Sequence, residues 1–173
     1  MSDFYASVMP HIAYQRSQSL SALVASFDKV MVKADDDTDI CLNYDMSSSE
    51  IQKDTGILFI HGIGSNRKVF AVCADIARKA GYNVAFFDLR GHGASGQIDI
   101  AVKGEYSSCI SSMLKDIKEI LTYLRSMDAS EIMAQWLIIG HSYVANLAFE
   151  LSQDDELSSH LLGIVCVDGG SFP

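Results

Sequence analysis

Ser142 stands in the run WLIIGHSYVANLAFEL, where an apolar, strand-like segment meets a helix-like one. A serine hydroxyl becomes a useful nucleophile only when it is positioned and relieved of its proton. A second stretch, HGIGSN (61–66), follows another strand-like run, and its Gly62 and Gly64 allow close backbone approach. A third, DLRGHGASG (88–96), packs Asp88, Arg90, Gly91, Gly93 and Ser95 into one short segment. Taken alone, GHGASG (91–96) spells the Gly-x-Gly-x-x-Gly pattern of a dinucleotide-binding loop. That pattern needs a helix opening at its glycines, so that the helix N-terminus meets the pyrophosphate. QIDIAVKGEYSS follows instead, with period-2 apolar spacing, and the helical pattern resumes only near residue 108. A Rossmann-type protein is therefore only a remote alternative.

The remaining chemistry-bearing groups read as structural. Asp35, Asp37 and Asp39 mimic the start of a calcium loop, yet Ile40 and Met46 occupy the positions that need glycine and glutamate. A solvated hairpin turn is expected there. Cys41, Cys73, Cys109 and Cys166 are widely spaced, without a Cys-x-x-Cys pair. They read as buried apolar thiols, with neither a metal nor a disulfide. His61 reads as a satisfied loop histidine and His141 as a packing residue, while His11 and His160 have no motif around them.

The elements that must hold these groups alternate. ILFIH (57–61), VAFFD (84–88), WLIIG (136–140) and LLGIVCVD (161–168) are near-continuous apolar runs, as strands read when helices cover both faces of a parallel sheet. Residues 30–33 and 38–44 read as an antiparallel pair at its edge. A helix over 66–80 is expected to turn Val69, Phe70, Cys73, Ile76, Ala77 and Ala80 to the core. A helix over 109–127 carries Ile110, Met113, Leu114, Ile117, Ile120, Leu121 and Leu124 at i, i+3, i+4 spacing, and residues 143–152 form a third. The spacing implies an α/β fold. Residues 1–26 form an arm or short helix without further assignment.

The chain has 173 residues, 49% of them hydrophobic, enough for one domain with a core. Its net charge of −9 argues against a nucleic-acid partner, whose phosphates need a basic face. The sequence shows no secretory leader and no apolar run long enough to span a bilayer, so a cytoplasmic location is expected.

Together and in this order, HGIGSN, DLRGHGAS and GHSYV on successive strand ends resemble the α/β-hydrolase family, over roughly residues 28–170. The resemblance implies an α/β-hydrolase fold, a mostly parallel sheet with helices on both faces, incomplete at the C-terminus. It makes Ser142 the nucleophile on a tight strand-to-helix elbow. It makes the backbone N–H groups of Ile63 and Tyr143 the oxyanion hole, each contributing about 3–4 kcal/mol in comparable sites. Asp88, Arg90, Gly91, Gly93 and Ser95 correspond to a structural turn without a catalytic role. The implied activity is acyl transfer to water from a small-molecule ester, thioester or amide, with no cofactor and no metal. A serine nucleophile disfavours the aspartate-dependent relatives.

Two departures qualify that expectation. Val144 stands where the family places a small residue, and its extra methyls cost about 1–3 kcal/mol in a tight junction if nothing moves, leaving the elbow intact but crowded. Family members also continue past the last strand found here, with a lid, further strands, an acid and a late histidine. His160 does not match the family's base, and Asp168 matches only the strand-end position that serves as the acid in some members. Residues 27–173 are accordingly expected to be the N-terminal part of a longer hydrolase. By themselves they are expected to be inactive, to melt broadly, and to self-associate through an exposed sheet edge around Ile164 and Cys166. The competing expectation is a non-catalytic, hydrolase-like binding protein.

Overall fold

The computed structural model describes residues 19–46, 55–97, 106–127, 135–142 and 144–169. Six strands lie in it: β1 (Asp28–Lys33), β2 (Asp39–Asp45), β3 (Thr55–Ile60), β4 (Asn83–Phe87), β5 (Gln135–His141) and β6 (Leu161–Val167). They form one sheet in the order β1-β2-β4-β3-β5-β6. β4, β3, β5 and β6 run parallel, as their continuous apolar runs require. β1 and β2 are the antiparallel edge pair, and β2 joins β4 antiparallel. The acidic run closes their hairpin, with the Ala34 N–H donating to the Thr38 carbonyl at 2.9 Å. Asp35, Asp36 and Asp39 each meet a cation there: Lys115 at 2.8 Å, Arg90 at 2.7 Å and Lys33 at 2.8 Å.

The helices are α1 (residues 19–25), α2 (Ala71–Lys79), α3 (Tyr106–Ser126), α4 (Val144–Leu151) and α5 (Asp155–Ser158). Alternation along each strand divides the interior into two layers. Leu58, Ile60, Ala85, Phe87, Trp136 and Ile138 face α3 and α4, where Met113, Ile117, Ile120, Leu121, Leu124, Leu147 and Leu151 fill the gap. Phe59, Val84 and Phe86 face the opposite way, onto Val24, Phe27, Ala71 and Ala74. Each large side chain so buried stabilises the fold by about 1.5–3 kcal/mol.

Two expectations fail. The helix expected over 66–80 begins as a 3-10 turn at Arg67–Phe70 and becomes α-helical only from Ala71. That tighter turn shifts the register. Ala71 and Ala74 are buried, while Val69 is 53%, Val72 53% and Ile76 65% exposed. Small residues win the inner face because the backbone of α2 lies close against β3 and β4. The thiols also divide: Cys41 is buried, but Cys73 and Cys166 are exposed, because α2 is rotated and β6 ends the sheet. The Cys109 side chain lies outside those described. On β6, Leu162, Val165, Cys166 and Val167 are exposed, whereas Ile164 is half-buried against the core.

Candidate active site

The loops after β3, β4 and β5 emerge together at the carboxyl end of the sheet, where ligands bind in open α/β folds. Ser142 follows β5 immediately, and α4 starts at Val144. Its φ is +59°, a left-handed conformation that costs a non-glycine residue about 1–2 kcal/mol. The neighbours hold it there. The Ser142 N–H donates to the Val167 carbonyl at 2.9 Å, tying the turn to β6. On its other side lies Gly62, where a Cβ would come within 2.9 Å of both Ser142 Cβ and His141 Nδ1. Only glycine lets the loop after β3 come this near, and His141 packs against that loop. Val144 is fully buried in the core with Leu147 and Leu151, so the strained turn forms with valine in place.

The loop after β3 is a turn over residues 62–65, closed by the Ser65 N–H donating to the Gly62 carbonyl at 3.2 Å, with Gly64 at φ +81°. Within it the Gly62 carbonyl accepts a second hydrogen bond from the buried His61 ring, whose Nδ1 lies 2.8 Å away. The Leu89 N–H donates to His61 Nε2 at 3.0 Å, so Nε2 carries the lone pair and the neutral ring its proton on Nδ1. Burial pushes the His61 imidazole below its ordinary value, in agreement with that neutral state. A trans peptide sets C=O and N–H on opposite sides. With the Gly62 carbonyl drawn toward His61, the Ile63 N–H is turned outward. Among the described residues that N–H has no acceptor. Tyr143 lies outside the described residues.

The turn after β4 is a rigid support. Buried Asp88 accepts from the Arg67 N–H and the Ala94 N–H, both at 2.7 Å, and pairs with the Arg67 guanidinium. Arg67 Nε in turn donates to Asn43 Oδ1 at 2.7 Å. Any side chain on Gly93 would overlap the Asp88 carboxylate. Ser95 Oγ donates to the Asp88 carbonyl at 2.6 Å and accepts from the Cys41 N–H at 2.8 Å, and the Gly91 N–H donates to the Gly96 carbonyl at 2.7 Å. The glycines thus close a loop around a carboxylate, and no helix opens in residues 88–97 to receive a pyrophosphate. Arg90 donates to Asp116 from Nε at 2.7 Å and again from its Nη2, and reaches Asp36 at 2.7 Å. The hydrogen bond to Asp116 raises the Arg90 guanidinium, and the one from Arg90 holds the Asp36 carboxyl well below the usual range.

Of the residues expected at the site, Ser142 and the Ile63 loop come together, and Asp88, Arg90, Gly91, Gly93 and Ser95 build the expected turn beside them. Asp168 follows β6 in an exposed position with φ +51°. Sequence reasoning missed Arg67, Asp116 and His92. Asp116 did leave a signal: a carboxylate inside the apolar stripe of α3. Arg67 left none.

Comparison with known proteins follows the same lines. Residues 52–167 match the family model described as serine aminopeptidase, S33. Mouse "Protein ABHD8" is 27% identical over 120 residues, covering 69% of this chain and 24% of that protein. The esterase EaEST of Exiguobacterium antarcticum superposes with a TM-score of 0.65 at 18% identity, covering 82% of this chain and 46% of that one. The Pyrococcus furiosus esterase Pf2001 gives 0.60 at 25% identity, with 76% and 47% covered. The chain therefore spans about a quarter of the length of the first and about half of each esterase. With strand order, elbow and family model in agreement, the chain belongs to the serine aminopeptidase S33 family of α/β-hydrolases.

Proposed function

We propose that Ser142 is the nucleophile of a serine hydrolase that transfers an acyl group from a small-molecule ester, thioester or amide to water. The observation that carries this reading is the left-handed backbone of Ser142 at the carboxyl end of the parallel sheet. Strain of this type persists only where the surroundings impose it, and it concentrates at reactive positions. Ser142 Oγ attacks the carbonyl carbon, and the C=O electron pair moves onto oxygen. The N–H groups of Ile63 and Tyr143 stabilise that oxyanion. Collapse expels the leaving group, and water then releases the acyl group from Ser142.

The proton of Ser142 needs an acceptor, and neither nearby loop histidine suits. His61 Nε2 accepts from the Leu89 N–H and His92 Nε2 from the Gly64 N–H. The base is therefore neither of these two histidines. The activity is that of the full-length protein, and the 173-residue chain self-associates through the exposed apolar side chains of β6.

A fluorophosphonate probe should label the full-length protein at Ser142, and Ser142→Ala should abolish labelling. Equal labelling of that variant would reject Ser142 as the nucleophile. Absence of label on a folded wild-type protein would favour a hydrolase-like binding protein.

A further inference from the structure

In the turn 62–65 the only positive φ is that of Gly64, the third of its four residues. That is the signature of a type II turn, which differs from type I by a flip of its middle peptide, here Ile63–Gly64. Glycine accepts either sign of φ, so residue 64 does not choose between them by itself. One contact does choose: the Gly64 N–H donates to His92 Nε2 at 3.3 Å.

We infer that His92 is a positioning residue for the oxyanion loop, tethering the Ile63–Gly64 peptide so that the turn carrying the Ile63 N–H keeps its place. The inference rests on the reading of Ser142 as nucleophile. His92 is built to hold this role. Its Nδ1 lies 3.0 Å from the Arg90 carbonyl, so the neutral ring carries its proton there and keeps the Nε2 lone pair for Gly64. Its backbone is fixed at both ends: the His92 N–H donates to the Leu89 carbonyl and the His92 carbonyl accepts from the Ser95 N–H, each at 3.0 Å. Arg90 is in turn anchored by Asp116 and Asp36. His61 grips the carbonyl of the preceding peptide, Gly62–Ile63, and the two rings lie 5.2 Å apart. Each peptide flanking the Ile63 Cα therefore ends on an imidazole. His61 turns the donor outward, and His92 ties down the peptide that follows it. A donor misaimed by a fraction of an ångström loses most of its value, because it acts only at the position the oxyanion will occupy.

The test uses the full-length protein and an aryl ester, with wild type, His92→Phe and His92→Gln compared. Phenylalanine keeps a ring but removes the acceptor, and glutamine restores an acceptor at similar reach. His92→Phe should lower kcat by about 10- to 100-fold with KM within about twofold, and His92→Gln should recover most of the loss. Wild-type kcat in His92→Phe would overturn the inference, as would a His92→Gln protein as slow as His92→Phe while both melt like wild type. If the variants do not fold, nitrogen-15 NMR of the wild type decides. A scalar coupling between the Gly64 nitrogen and His92 Nε2 supports the contact, and its absence overturns it. A wild-type protein that takes no fluorophosphonate at Ser142 overturns the nucleophile reading and this inference with it. Label at Ser142 with unaltered His92→Phe kinetics overturns the inference alone.

Discussion

A single imidazole links folding to acidity. His61 is buried and neutral, with burial the main cause of its lowered pKa from an ordinary 6.5. In the unfolded chain the same ring takes a proton once pH falls below that ordinary value. Between the two values the unfolded state binds the extra proton, so stability must fall as pH falls. The contribution is whole above about pH 6.5 and is lost progressively below it. The carboxylate effect is separate: Asp36, held low by Arg90, keeps its contribution until pH falls below the ordinary carboxylate range, about 4. Urea unfolding at pH 7.5, 6.0 and 5.0 should therefore show a decline that His61→Gln reduces. Identical pH slopes in the two proteins would show that His61 is not held neutral. At this scale the sequence was partly legible. Ser142 and the two glycines around Ile63 could be read because a motif fixes residue types at fixed offsets. His92 and Arg67 could not, since their partners lie 28 and 21 positions away and no local pattern records such a contact.

At the scale of elements, strands were read more reliably than helix faces. The runs in β3, β4 and β5 lie in a sheet covered on both faces, as their continuous apolar residues implied, while β6 forms the expected strand with one face open. α3 has one clear stripe, and its large residues are indeed inside. α2 misled because apolar residues occur on both of its sides, and small alanines took the close-packed one. Nothing local announces that a strand needs a thin neighbour. β6 carries the same ambiguity into a prediction. At the end of the sheet among the described residues it exposes Leu162, Val165 and Val167, an apolar surface suited to packing against a second chain. The 173-residue chain should sediment as a dimer or larger species, and Val165→Lys should shift it toward monomer, since a lysine there opposes apolar packing. A monodisperse monomer of the parent chain would contradict this.

For the molecule as a whole, the sheet order sets which parts let go first. β3 is flanked by β4 on one side and β5 on the other, with both layers of the core against it, whereas among the described residues β6, like β1, has a neighbour on one side only. Native proteins open in units, from the least supported outward strand to the best supported centre. The Ser142 N–H is bonded to Val167, on one of the two edge strands among the described residues. In amide hydrogen exchange of the 173-residue chain, Ser142 should exchange together with β6 and ahead of Leu58 and Phe59. Exchange of Ser142 at the slow rate of β3 would mean that the elbow is held without β6. The reactive turn is thus hung on the rim of the sheet rather than on its keystone. Its strained geometry therefore lasts only as long as β6 keeps its place, and a change that braces β6 also lengthens the life of the Ser142 turn.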